Sequence, residues 1–164
     1  MTIKEAQPAQ GLLNKVKEYL PPKGLALVEE AYRFAAECHK GQLRRSGDPV
    51  ITHPLHAAET IASLQLDADA IAAALLHDVQ EDCQVSNAAI EKRFGREVAK
   101  LVEGVTKLGQ LPWQAPEVRV ARDDHIQAEN LRKMFLAMAQ DLRDRKSTRL
   151  NSSHIQKSRM PSSA

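Results

Sequence analysis

Seven residues in a row, Ala70 to Leu76, are apolar. An apolar run with no polar face predicts a helix buried on all sides. Asp67 or Asp69 is placed to cap its start, and the run leads on to Glu81. The flanking segments repeat apolar residues at helical spacing. Leu12 to Leu20 predicts a first helix, stopped by Pro21-Pro22. Gly24 to Lys40 turns one stripe inward through Leu27, Ala31, Phe34, Ala35 and Cys38, and Gly41 stops it. Gln42 to Ile51, rich in Gly, Pro and Arg, predicts a loop. Pro54 to Leu64 follows as a helix with Leu55, Ala58, Ile61 and Ala62 inward. Ser86 can cap a short helix to Arg93, and Arg96 to Leu108 forms the next. Leu111 to Asp123 holds Pro112 and Pro116 without a clean period and predicts a mobile loop. Gln127 to Arg143 is the last helix. No strand pattern competes, so the expected class is all-α.

The buried run ends in chemistry. His77-Asp78 closes it, and Glu81-Asp82 lies one turn further on. Such groups are costly at the end of a buried helix unless something offsets their desolvation. Residues four apart share a helix face, which stacks His77 on Glu81 and Asp78 on Asp82. A neighbouring His and Asp suit a divalent cation that takes mixed nitrogen and oxygen ligands. His53, just before Pro54 in the first turn of its helix, is the third ligand candidate. A solvated helix end is the ordinary explanation of a bare His-Asp dipeptide. The full set of His53, His77, Asp78, Glu81 and Asp82 behind an apolar run outweighs it. Arg44-Arg45-Ser46-Gly47 puts two guanidiniums on a loop before His53, where they can pair with phosphate or stack on a base. A solvated basic loop is the alternative. His39 reads as packing beside the site, His56 as a surface histidine, and Lys107 as a cation near a helix C-terminus. Asn130 and Arg132 read as structural. Met134 and Met138 read as core.

These residues carry a family resemblance. Ala31-Tyr32, His39-Lys40-Gly41-Gln42, Arg44 to Pro49 and Ile51 to Pro54 resemble the Rel/SpoT stringent-response enzymes. So do Ala73 to Asp82, Phe94-Gly95, Leu101 to Leu108 and Ala128 to Met134. The match runs in order from about Leu12 to Arg143. It implies the N-terminal HD-type hydrolase domain, a helical bundle. In that family the domain removes the 3′-pyrophosphate of ppGpp and pppGpp with manganese(II). The resemblance implies His53, His77 and Asp78 as metal ligands and Glu81 and Asp82 as the residues that orient and deprotonate water. Arg44, Arg45 and Ser46 fall in the loop that holds the guanine nucleotide. An intact set argues against the synthetase-only branch. It implies a bifunctional parent with synthetase and regulatory domains downstream.

The C-terminal end departs from the family. There the last helix continues into an Asp-bearing motif that supplies the remaining protein ligand. Here Asp141-Leu142-Arg143 gives way to Asp144-Arg145-Lys146-Ser147-Thr148-Arg149, and the stretch to Ala164 resembles a translated sequencing-library adapter. Residues 1–143 are therefore expected to form a partial hydrolase domain, an HD bundle incomplete at its C-terminal end. Residues 144–164 are expected to be foreign and disordered. A natural Ser-rich basic tail is the alternative. The family's Asp falls roughly two helical turns beyond Arg143, so Asp144 does not replace it. The chain as written is expected to be a poor hydrolase with a marginal fold.

Charge then reads differently. Arg145, Lys146, Arg149, Lys157 and Arg159 against Asp144 give the tail +4, which leaves −2 for residues 1–143 out of the +2 of the whole chain. A nucleic-acid partner has no support from charge, and no run is long and apolar enough for a membrane span. Cys38 and Cys83 read as reduced thiols, and a cytoplasmic protein of one domain follows. Two other classes stay open. Another HD-superfamily nucleotide phosphohydrolase would keep the ligands, although the Arg44-Arg45 loop and the Glu103 to Leu108 segment count against it. A non-catalytic regulatory helical domain would need to have lost them.

Overall fold

The computed structural model describes residues 3–109 and 131–139. They contain α1 (Ile3–Lys17), α2 (Pro22–Cys38), α3 (Thr52–Ser63), α4 (Ala68–Leu76), α5 (Val79–Asp82), α6 (Asn87–Phe94) and α7 (Arg96–Gly109). Residues 131–139 form a further helix, α8. Among the described residues there is no strand, only an isolated bridge between Leu43 and Pro49. The class is all-α. The expected loop from Leu111 to Asp123 and the tail 144–164 lie outside the described residues, as do both ends of the helix expected over Gln127 to Arg143.

α4 is the hub. Ala70 through Leu76 are all buried, and the helix packs against α2, α3 and α7. Asp67 caps it, its carboxylate accepting the N–H of Ala70 at 2.9 Å. Its alanines let the neighbouring helices approach closely, while Ile71, Leu75 and Leu76 fill the space between them and are fully buried. Ser86 caps α6 by accepting the N–H of Ala89 at 3.2 Å. Gly95 ends α6 with φ of 97°, a conformation that costs a glycine little.

α8 lies on α7 through small residues. A Cβ placed on Gly104 would stand 3.0 Å from the Cβ of Ala137, tighter than ordinary packing. Met134 and Ala137 are buried, whereas Phe135 and Leu136 stay exposed.

Two expectations change. The first helix starts at Ile3 rather than Leu12 and stops at Lys17, and a turn carries the chain through Tyr19 and Leu20, whose N–H groups both donate to the carbonyl of Val16. The helix expected to run from the cap to Glu81 is interrupted at His77-Asp78. The Nδ1 of His77 lies 2.8 Å from the carbonyl of Ala74. That carbonyl is the acceptor the N–H of Asp78 would use in an uninterrupted helix.

Candidate metal centre

The break is what builds the site. A backbone carbonyl only accepts, so His77 carries its proton on Nδ1 and presents Nε2 as a lone pair. Metal-binding histidines are commonly oriented in this way. Nε2 of His77 lies 2.9 Å from Oδ1 of Asp78. It is buried and has no hydrogen-bond partner. A lone pair facing a carboxylate oxygen at that distance repels it unless a proton or a cation lies between them. His53 enters from the first turn of α3, where Thr52 anchors the chain by donating its hydroxyl to the carbonyl of Pro49 at 2.7 Å. Its Nε2 lies 3.6 Å from Oδ2 of Asp78. Its ring meets that of His77 edge-on, with centroids 5.2 Å apart.

One donor atom from each of His53, His77 and Asp78 lies within 4.8 Å of the other two. A cation with bonds of about 2.1 Å needs donors roughly 3–4 Å apart, so a small inward movement completes the set. Two neutral imidazoles and one carboxylate form a borderline donor set that suits a first-row divalent ion. Among the described residues this is the one such cluster.

The electrostatics suit a site that takes a cation. Burial lowers the pKa of His53 to about 4, despite an opposing pull from Asp78. Burial also opposes charging of His77, but the Asp78 carboxylate beside it outweighs burial and holds its pKa above the usual value. Burial pushes Asp78 toward the neutral acid. The neighbouring His77 and His53 reverse this and keep its pKa low. Asp82 is raised, first by partial burial and then by the negative charge of Asp78.

The expected stacking of Asp78 with Asp82 survives the break, because the N–H of Asp82 donates to the carbonyl of Asp78 at 2.9 Å. Glu81 is exposed, one residue before. Arg44 lies close enough for its charge to disfavour protonation of His53. Arg45 and Ser46 sit at the exposed tip of the same loop, where the hydroxyl of Ser46 donates to the Asp48 carboxylate at 2.9 Å. A tight turn holds that loop, with the N–H of Arg44 on the carbonyl of Asp48 at 2.8 Å and that of Gly47 on Arg44 at 2.9 Å. His56 is exposed beside Glu59 and Ser63, as expected of a surface histidine. Lys107 pairs with Glu103 at 2.7 Å on the face of α7. Met134 is core and Met138 half-buried, and Arg132 is exposed. Asn130 lies outside the described residues.

Sequence reasoning missed one group. Gln80 donates its amide to Asn87 at 3.0 Å and accepts the hydroxyl of Thr106 at 3.2 Å, tying α5 to α6 and α7. His39 is buried at the end of α2, with Nδ1 2.9 Å from Oε1 of Gln42, and its charge acts on both Asp78 and Asp82. This agrees with the expectation that His39 packs beside the site.

An HD domain family model matches residues 31–145, which takes in all three donors. The chain belongs to the HD domain family. Among similar proteins is the bifunctional (p)ppGpp synthase/hydrolase SpoT of Escherichia coli K12, 42% identical over 134 residues that make up 82% of this chain and 18% of that protein. A guanosine-3′,5′-bis(diphosphate) 3′-pyrophosphohydrolase of Vibrio cholerae is 42% identical over 132 residues, 80% of this chain and 18% of that protein. A GTP pyrophosphokinase of Myxococcus xanthus is 43% identical over 128 residues, 78% of this chain and 16% of that protein. This HD chain therefore spans under a fifth of the length of these relatives. No helix among its described residues is long and apolar enough to cross a membrane.

Proposed function

We propose that residues 1–143 form a metal-dependent hydrolase domain that removes the 3′-pyrophosphate of guanosine 3′,5′-bis(diphosphate), with manganese(II) as its ion. The observation that carries this reading is the convergence of His53, His77 and Asp78 around one unsatisfied buried lone pair. The names of the relatives supply the substrate class.

In this reading His53, His77 and Asp78 would hold the cation. A bound divalent ion supplies positive charge that favours ionisation of water and offsets the charge of the phosphate. Asp82 takes the proton of the attacking water, and its raised pKa makes it a stronger base than a free carboxylate. Glu81 orients that water from the same turn. Arg44, with Arg45 and Ser46 on its loop, receives the guanine nucleotide. Water attacks the phosphorus bonded to the 3′ oxygen, which leaves with a proton. The products are pyrophosphate and a nucleoside 5′-diphosphate, or the 5′-triphosphate when pppGpp is the substrate. Residues 144–164 are read as foreign to the domain, so a further protein ligand is missing from the chain as written. Synthetase and regulatory regions are assigned to the parent, downstream. In this reading the domain works in the cytoplasm, which a soluble nucleotide substrate supports.

The test joins residues 1–143 to the segment that follows in the E. coli relative and assays ppGpp hydrolysis with manganese. Equal amounts of GDP and pyrophosphate are expected. Manganese and nucleotide binding without pyrophosphate release would overturn the reading. Equal turnover of nucleotides lacking a 3′-pyrophosphate would instead make the chain a general HD phosphohydrolase.

A further inference from the structure

Only four residues, Val79–Asp82, make up α5, and they include Glu81 and Asp82. So short a helix does not hold itself together in water. Asp78 stands at its N-terminus but makes no side-chain cap, because its carboxylate faces His77 and His53 instead. The N–H groups of Asp82 and Cys83 donate to the carbonyls of Asp78 and Val79 at 2.9 and 3.1 Å. Glu81 and Asp82 are exposed, so Val79 and Gln80 are the residues of the turn that face the fold. Val79 is fully buried. Gln80 is held at both ends of its amide. Its N–H donates to Oδ1 of Asn87, the first residue of α6, at 3.0 Å, and its oxygen accepts the hydroxyl of Thr106 on α7 at 3.2 Å. A buried valine resists withdrawal of the turn but leaves its rotation loose. An amide with directional partners on two other helices does not.

We propose that Gln80 is a positioning residue for the hydrolysis. Through Asn87 and Thr106 it fixes the rotation of α5 and so holds Asp82 beside Asp78. This role rests on the proposed action of Asp82 as the base. Successive residues of a helix are about 100° apart around its axis, so a partial rotation of the turn carries the Asp82 carboxylate away from the cation site. The reference for that rotation is the scaffold of the donors themselves. α7, which bears Thr106, packs against α4, the helix that leads into His77. Asn87 adds a second fixed point seven residues further along the chain, and its bond to Gln80 closes the loop between α5 and α6. Asp82 and the donor His77 are thereby held by one framework.

The test follows amide hydrogen exchange by nuclear magnetic resonance in the full 164-residue chain. Gln80→Leu removes both bonds at similar volume. The amides of Asp82 and Cys83 are expected to exchange about tenfold faster, while those of α4 keep their rates. Manganese binding should be retained. Thr106→Val should repeat part of the effect, and Thr106→Ser, which keeps the hydroxyl, should restore the parent rates. In the domain completed with its relative's segment, Gln80→Leu should lower kcat by about ten- to a hundredfold with KM for ppGpp unchanged. Unchanged exchange at Asp82, or equal acceleration through α4, would overturn the proposal. So would a parent-like kcat in a variant whose α5 is loosened. A completed parent domain that hydrolyses nothing would instead contradict the proposed function, and the exchange rates would still decide whether Gln80 holds α5.

Discussion

The Nδ1 of His77 donates to the carbonyl of Ala74 across 2.8 Å. One contact has three effects. It competes for the carbonyl that would have extended α4, it fixes the tautomer of the ring, and it aims Nε2 at Asp78.

A proton consequence follows. With its pKa held above the usual value by Asp78, His77 keeps its second proton to higher pH than a free imidazole when no cation is bound. Binding of manganese must displace that proton, so affinity should rise with pH above 6.5. His53, near 4, is already neutral there and competes only in acid. Calorimetry in buffers of different ionisation enthalpy should show protons released on binding, and fewer as pH rises. Release that does not change with pH would contradict the shift.

The same imidazoles set opposite stability windows in the metal-free chain. The raised pKa of His77 contributes stability that is full below 6.5 and is lost as pH rises through the folded value. The lowered pKa of His53 contributes stability that is present above 6.5 and is lost as pH falls toward 4. His53→Gln should therefore flatten the acid side of a plot of melting temperature against pH, and His77→Gln the other side.

Asp82→Asn, made in the domain completed with its relative's segment, should lower turnover by about 10² to 10⁴. Manganese affinity should hardly change, because Asp82 lies outside the donor cluster. Calorimetry beside the rate separates the two roles. Loss of metal binding would make Asp82 a ligand.

Arg44→Ala should raise KM for ppGpp by roughly tenfold, the effect of about 1.4 kcal/mol, through loss of a charge-assisted contact to phosphate. Manganese binding should persist. An unchanged KM would return the loop to the solvated role weighed at first.

Much of this was legible in the chain, for identifiable reasons. α4 was readable because seven consecutive apolar residues leave no polar face. The caps at Asp67 and Ser86 were readable because their signal is local. The break at His77-Asp78 was not, since a histidine that competes for a backbone acceptor has no periodicity. Gln80 was equally hidden. Its partners, Asn87 and Thr106, come from other helices, and only the packing of α5 against α6 and α7 brings them together. His53 and Asp82 were expected beside Asp78, and the start of α3 and the end of α5 bring both within reach of its charge.

Gly104 offers a test of the packing. Gly104→Val should destabilise the fold by about 1–3 kcal/mol, because its side chain meets Ala137 across the contact between α7 and α8. Ala137→Gly in the same chain should recover part of that loss. Urea unfolding of the two single variants and the double variant decides it. Strictly additive losses would mean that the helices do not meet there.

The most direct measurement is manganese binding to the chain itself, followed by electron paramagnetic resonance of the free ion. The expected result is one ion per chain, lost in His77→Ala and Asp78→Ala, weakened in His53→Ala and retained in His56→Ala. Binding unchanged by all three donor substitutions would contradict the assignment of His53, His77 and Asp78 as one cation site.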